Sequence, residues 1–206
     1  MKPCLRERRQ VRLASEAGVR DDLEVQSRYV LLLVEKCSHC FSWYDPESGE
    51  RLRSLRLPDF PHEFVTDSAN RFAYVGHYGV ETSGHPGPGG HSVLQIDIRS
   101  GELVRTINLY PFNRIHGLQI DAQDRLYALS EEKATLLVLD NPATDDTPRR
   151  AVPSGGIKSH LFALTRDGQA AYCMNLLKLP GPGCSPQSPK RDAIPDKNAA
   201  PSATRA

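Results

Sequence analysis

Short apolar runs separated by turn-forming residues follow one another along most of this chain. In segments 51–57 and 92–97, polar and apolar residues alternate, which is the pattern of a strand with one face in water. Segment 29–34 is a continuous apolar run of strand length and predicts a buried strand. Segment 45–50, rich in Asp, Pro, Ser and Gly, predicts a turn. The pattern therefore predicts an all-β fold.

Three of the predicted strands begin in the same way, with a histidine. These residues are His62, His116 and His160, which lie 54 and 44 residues apart, and each is followed by an apolar run that contains a tyrosine. Self-similarity at about 40–50 residues is typical of β-propellers, in which one repeat forms one four-stranded antiparallel blade. The sequence therefore predicts a β-propeller.

The repeats set the expected domain boundaries. They cover residues 28–177, which at about 45 residues per blade gives about three to four blades. Because propellers close with about 4–8 blades, we expect an incomplete ring that belongs to a longer protein or associates through its open terminal blades. Residues 1–27 form an N-terminal extension, and residues 178–206, with six prolines and no aromatic residue, predict a disordered tail.

Composition excludes several classes of protein. The net charge of +1, from 26 basic and 25 acidic residues, produces no global field that would draw the chain to nucleic acid. No apolar run approaches the length of a membrane span, and the first residues carry no secretory signal, so we expect a cytoplasmic protein without a membrane span. Five cysteines, an odd number, do not suggest a disulfide framework.

Several segments resemble the YVTN family of β-propellers, which includes the YncE-like proteins. The matching segments are 61–67, 71–75, 93–97, 100–104, 116–118, 159–160 and 165–168. The resemblance implies a seven-bladed propeller, often exported, in a superfamily shared with quinoprotein amine dehydrogenase β chains and lactonase-like propellers. This chain departs from that pattern because it has too few blades and no export signal.

The register of the repeats places the three histidines near one another. The first strand of a propeller blade lines the central channel, so we expect His62, His116 and His160 on one rim of that channel, in consecutive blades. Neutral imidazoles that converge on a channel can bind a metal or act as general bases. The alternative is structural, since a residue repeated in every blade often solves the same packing problem in each.

Other polar residues are expected near the same channel mouth. Glu63 follows the first histidine, and Glu131 and Asn175 end the second strands of their blades. With the histidines, Glu63 and Glu131 are the candidates for catalysis, and Asn175 and Arg114 are candidate ligand-binding residues. No cofactor is assigned, although a divalent metal is possible at this rim.

Two further segments carry residues with metal-binding or redox chemistry. The inserted segment 76–91 contains His77, His85 and His91, but their spacing matches no standard metal motif and its glycines suggest mobility. We therefore favour a loop that covers the channel. Cys37 and Cys40 are separated by two residues, but no second pair completes a zinc site, so a hairpin turn with two thiols is favoured.

Three functions are compatible with these patterns. The first is a binding scaffold for a small molecule or protein at the channel mouth. The second is a metal-dependent hydrolase or lyase of the lactonase or streptogramin-lyase type, using the same histidines with Glu63 or Glu131. The third is single-stranded DNA binding, with stacking on Tyr110 or Phe112 and Arg114 on a phosphate.

Overall fold

The computed structural model describes residues 29–177 and 192–193, which form only β-strands and the loops between them. The first sheet contains β1 (Leu31–Glu35), β2 (Cys40–Tyr44) and β3 (Arg51–Arg56). The second contains β4 (Pro61–Thr66), β5 (Phe72–His77), β6 (Ser92–Asp97) and β7 (Glu102–Asn108). No helix in the described part of the chain is long and apolar enough to cross a membrane.

Two more sheets follow in chain order. The third contains β8 (Ile115–Ile120), β9 (Leu126–Ser130), β10 (Thr135–Leu139) and β11 (Arg150–Pro153). The fourth contains β12 (Ile157–Leu164), β13 (Ala170–Leu177) and β14 (Asp192–Ala193). Every neighbouring pair is antiparallel, and strand order within each sheet follows chain order. The second and third sheets are four-stranded, as expected for propeller blades.

The core consists of three apolar layers, one between each pair of neighbouring sheets. Successive residues of β5 alternate between two layers, because Tyr74 packs against the third sheet while Val75 packs against the first. On β10, Leu137 lies between the second and third sheets, and Val138 lies between the third and fourth. Because side chains alternate between the two faces of a strand, β5 and β10, which lie between two apolar layers, are apolar on both faces.

Side-chain hydrogen bonds join neighbouring sheets. The Trp43 indole nitrogen donates to the carbonyl of Ile98 at 3.0 Å, which joins the first sheet to the second. Gln119 on β8 acts in two directions: its amide nitrogen donates to the carbonyl of Phe162 at 2.8 Å, and its amide oxygen accepts from the Leu164 backbone N–H at 3.0 Å. Gln119 therefore links the inner strands of the third and fourth sheets.

One strand differs from its prediction. Segment 29–34 was predicted to be buried, but Leu31 is 53% exposed and Leu33 is 43% exposed on β1. Only the opposite face of the first sheet packs on the second sheet. The predicted extension over 1–27 and most of the predicted tail over 178–206 lie outside the described residues, with β14 pairing with β13 as the described exception.

Candidate functional site

The inner strands bring the three repeated histidines into direct contact. His62 on β4, His116 on β8 and His160 on β12 form a stack of imidazole rings. The ring centroids of His62 and His116 are 3.9 Å apart, and those of His116 and His160 are also 3.9 Å apart. The rings are tilted by 42° and 44°. The channel rim expected from the repeat register thus becomes one continuous cluster, which we call the histidine stack.

A shift in strand register accompanies each of these histidines. The register of β4 with β5 shifts between Pro61 and Phe64, and that of β8 with β9 shifts between Ile115 and Leu118. The fourth sheet has the same feature between Ser159 and Leu161. Bulges redirect side chains and are common beside functional sites. The same local irregularity is therefore repeated at each of the three positions.

Two glutamates flank the histidine stack. The Glu63 carboxylate oxygen Oε1 lies 3.4 Å from Nδ1 of His116 and 3.9 Å from Nδ1 of His62. Glu131 follows β9, and its Oε2 lies 3.5 Å from Nδ1 of His160. The ligand atoms therefore form two groups, each with two histidines and one glutamate, that share His116.

Two nitrogens of the histidine stack have no hydrogen-bond partner. Nδ1 of His62 and Nδ1 of His116 are both buried and unpaired, and His116 as a residue is 1% exposed. A buried polar group without a partner costs about 1–3 kcal/mol. Burial, with smaller contributions from His116 and Lys36, lowers the pKa of His62 to about 3. The His62 imidazole is therefore neutral at pH 7, with a nitrogen that no protein group satisfies.

Glu131 is completely buried, and neighbouring groups compensate its charge. The Tyr78 hydroxyl donates to its Oε1 at 2.8 Å, and the Arg114 guanidinium lies 3.7 Å from the same atom. Burial and then the Glu131 carboxylate raise the pKa of Tyr78, so the phenol keeps its proton and acts as a donor. The Tyr78 ring also packs edge-on against His116, with centroids 5.3 Å apart.

Tyr78 and Lys36 are site residues that sequence reasoning missed. The Lys36 ammonium lies 4.6 Å from the centroid of the Tyr78 ring, and burial lowers its pKa. Lys36, Tyr78 and Glu131 each directly follow a strand, namely β1, β5 and β9. That shared position is the signal in the sequence, but only Glu131 was identified from it because the three residue types differ.

Arg114 lies beneath the inserted loop. It is 4% exposed, and its guanidinium donates to the carbonyls of Ser83, His85 and Gly87 at 2.7–2.9 Å. Lys158, which belongs to the fourth sheet, also donates to the Ser83 carbonyl, at 3.0 Å. The glycines of segment 76–91 suggested a mobile loop, but these contacts tie it to the third and fourth sheets.

The remaining candidates lie apart from the histidine stack. His77 lies between the Asp59 carbonyl and the Ser92 hydroxyl, and the Nδ1 atom of His85 faces the Pro86 carbonyl. His91 packs on Tyr110, so the three loop histidines form no metal-ligand group among the described residues. The Asn175 side-chain oxygen accepts from the hydroxyls of Ser154 and Ser159. Cys37, in the turn after β1, and Cys40, the first residue of β2, are free thiols.

Comparison with known proteins supports the fold. Among 455 matching chains of solved structures is hydrazine synthase of Kuenenia stuttgartiensis, a β-propeller-containing protein. It matches with a TM-score of 0.58 and 13% identity over 71% of this chain. This chain spans 38% of the length of that chain. An identity this low shows the fold alone, and the fold is a β-propeller.

No family model and no curated protein sequence matches the chain. The resemblance to the YVTN and YncE-like proteins therefore stays a prediction, whereas the propeller architecture is established by the sheets and the structural match.

Proposed function

We propose that this β-propeller is a binding scaffold whose ligand site is the histidine stack with Glu63 and Glu131. The observation that carries the proposal is the pair of buried, unpaired Nδ1 atoms on His62 and His116. Native proteins leave few buried polar atoms unsatisfied, and such atoms call for an explanation such as a ligand. A bound group that contacts both nitrogens would remove the free-energy cost of leaving them buried and unpaired.

The burial of the cluster indicates where a ligand would enter. The side chains of Glu63 and His160 are 32% and 33% exposed, whereas His116 and Glu131 are buried. The accessible edge of the site is thus formed by Glu63 and His160, and its floor by His116. A small polar ligand that reaches Nδ1 of His116 would also contact the Glu63 carboxylate, 3.4 Å away.

The structural alternative requires the histidines to fix contacts between blades through hydrogen bonds. Nδ1 of His62 and Nδ1 of His116 make no such bond, whereas Nδ1 of His160 hydrogen-bonds the Glu131 carboxylate, which follows β9 of the third sheet, at 3.5 Å. Between β8 and β12, Gln119 of β8 has that role, because its side-chain amide hydrogen-bonds two backbone groups of β12. This difference favours the binding hypothesis for His62 and His116.

The third hypothesis, single-stranded DNA binding, receives less support. It needs Arg114 on a phosphate, but the Arg114 guanidinium is buried and donates to three loop carbonyls. The hydrolase or lyase hypothesis uses the same cluster as the binding scaffold and adds a divalent metal, so it depends on whether the cluster holds one.

Thermal unfolding tests the binding proposal. The full chain is melted with EDTA and a panel of small polar compounds: amino acids, carboxylic acids, polyols and nucleosides. A ligand present at 100 times its Kd stabilises the folded state by about 2.7 kcal/mol. We expect at least one compound to raise the Tm of the wild type by about 4 °C or more.

The matched variants are His62→Gln, within the cluster, and His85→Gln, in the loop. The stabilisation should disappear in His62→Gln and persist in His85→Gln, because His85 is exposed and lies outside the cluster. A panel in which no compound stabilises the wild type, or in which His62→Gln responds like the wild type, would contradict the proposal.

A further inference from the structure

We infer that His62, Glu63 and His116 together hold one divalent transition-metal ion, with Zn²⁺ as the representative ion. This inference rests on the proposed function, because it names the chemistry of that same site. Three protein ligands leave coordination positions open, as in catalytic zinc sites.

The distances between the three ligand atoms fit a shared ion. Around a tetrahedral ion with bonds of about 2.0–2.1 Å, neighbouring ligand atoms lie about 3.3 Å apart. Nδ1 of His116 lies 3.4 Å from Oε1 of Glu63, and Nδ1 of His62 lies 3.9 Å from the same oxygen. A closure of about half an ångström at His62 would bring both nitrogen–oxygen distances to this value. All three ligand atoms lie within 4.8 Å of one another.

The ligand types select the class of metal. Two neutral imidazoles with one carboxylate form a set typical of zinc and other divalent transition metals. Ca²⁺ and Mg²⁺ prefer oxygen ligands and several carboxylates or waters, so they fit this set poorly. The buried Nδ1 atoms of His62 and His116 have no hydrogen bond, so in the tautomer protonated on Nε2 each offers a free lone pair to an ion.

The other half of the cluster is less suited to hold the ion. Oε1 of Glu131 already accepts from the Tyr78 hydroxyl and faces Arg114, while Oε2 pairs with His160. Among the described residues, the only basic side-chain nitrogens within 4 Å of the Glu63 carboxylate are the imidazole nitrogens of His62 and His116. We therefore assign the metal to the group with Glu63. Glu131 then acts on the stack indirectly, through its contacts with Tyr78 and His160.

Calorimetry on the full chain tests the assignment. Protein stripped with EDTA and dialysed is titrated with Zn²⁺, and separately with Mg²⁺. We expect one Zn²⁺ per chain and no measurable binding of Mg²⁺. Zn²⁺ affinity should fall at least about tenfold in His62→Ala and in Glu63→Gln, the size of loss seen when a metal site loses a supporting group. His85→Gln should bind as the wild type does.

Glu63→Gln is the decisive variant, because it keeps the size of a half-exposed side chain and removes only the charge. A second readout is the visible spectrum of Co²⁺-loaded protein, which reports the coordination of the ion. Absence of stoichiometric Zn²⁺ binding, or unchanged affinity in Glu63→Gln, would overturn the inference. Loss of Zn²⁺ in His160→Ala with full retention in Glu63→Gln would also overturn it, in favour of the group with Glu131.

The two proposals fail in different ways. If compounds stabilise the EDTA-treated wild type through His62 but Zn²⁺ does not bind, the metal inference is wrong and the binding scaffold stands. If neither compounds nor Zn²⁺ bind, both are wrong.

Discussion

At the scale of single residues, the buried histidines explain how this protein should respond to acid. His77 lies outside the histidine stack, between the Asp59 carbonyl and the Ser92 hydroxyl. Burial lowers its pKa from the ordinary value of 6.5, an effect that the Asp59 carbonyl only partly offsets. The folded protein therefore resists protonation of His77 at a pH where the unfolded chain accepts a proton.

Stability should consequently fall as the pH drops below 6.5. The unfolded state binds more protons in that window, so the free energy of unfolding decreases with decreasing pH. In His77→Gln the loss between pH 7.5 and 5.5 should be smaller than in the wild type, by up to about 1.4 kcal/mol. Urea unfolding at the two pH values measures the difference. Identical losses in both proteins would show that His77 does not contribute. Between pH 8 and 9, where His77 is neutral in both the folded and the unfolded chain, the free energy of unfolding of the two proteins should change by the same amount.

The identity and the repeat spacing of single residues predicted part of the candidate site. The repeat spacing was sufficient to bring His62, His116 and His160 together, because equivalent positions of stacked blades are neighbours. It could not predict that Glu63 lies nearer to the Nδ1 atom of His116 than to that of its sequence neighbour His62. Glu63 lies within a shift of the register between β4 and β5, and the position of that shift is not visible in the alternation of apolar residues.

At the scale of elements, polar side chains between sheets contribute to the stability of the array. Gln119→Ala would leave the Phe162 carbonyl and the Leu164 amide of β12 without their partner. Part-buried hydrogen-bonding groups that lose a partner cost about 1–3 kcal/mol. We expect a decrease of that size in the free energy of unfolding, measured with urea.

Gln123→Ala is the control for this prediction, because Gln123 is exposed in the loop before β9. It should stay within about 0.5 kcal/mol of the wild type. If both variants unfold alike, the bridge between β8 and β12 contributes little, and apolar packing around Phe162 holds the fourth sheet in place.

The strands themselves were largely predictable from the sequence, and the loops were not. The alternation over segment 92–97 located β6 with its observed bounds, and that over 51–57 located β3 to within one residue. The inserted loop shows the limit of that reasoning, because its glycines suggested mobility. Its order comes from Arg114 and Lys158, which reach it from other sheets. Such long-range contacts do not appear in a local sequence pattern.

At the scale of the whole molecule, the two terminal sheets differ from the two between them. The second and third sheets are covered on both faces by apolar layers. On the first sheet Leu33 is 43% exposed, and on the fourth Tyr172 and Met174 are 39% and 58% exposed. Exposed apolar faces of this kind promote association with another sheet.

We therefore expect the chain to self-associate in a concentration-dependent way. Sedimentation velocity should show association of the wild type that weakens in Leu33→Glu and in Met174→Glu. Val104→Glu is the control, because Val104 is 49% exposed but belongs to the second sheet. A wild type that sediments as a monomer at every concentration would contradict this prediction.

The account depends above all on the unpaired nitrogens of the histidine stack. A high-resolution crystal structure of the full chain with Zn²⁺, including anomalous data at the zinc edge, tests it most directly. The account predicts an anomalous peak about 2 Å from Nδ1 of His62 and Nδ1 of His116, with Glu63 as the third ligand. A structure in which both nitrogens are hydrogen-bonded to protein groups, with no bound atom or molecule beside them, would contradict it.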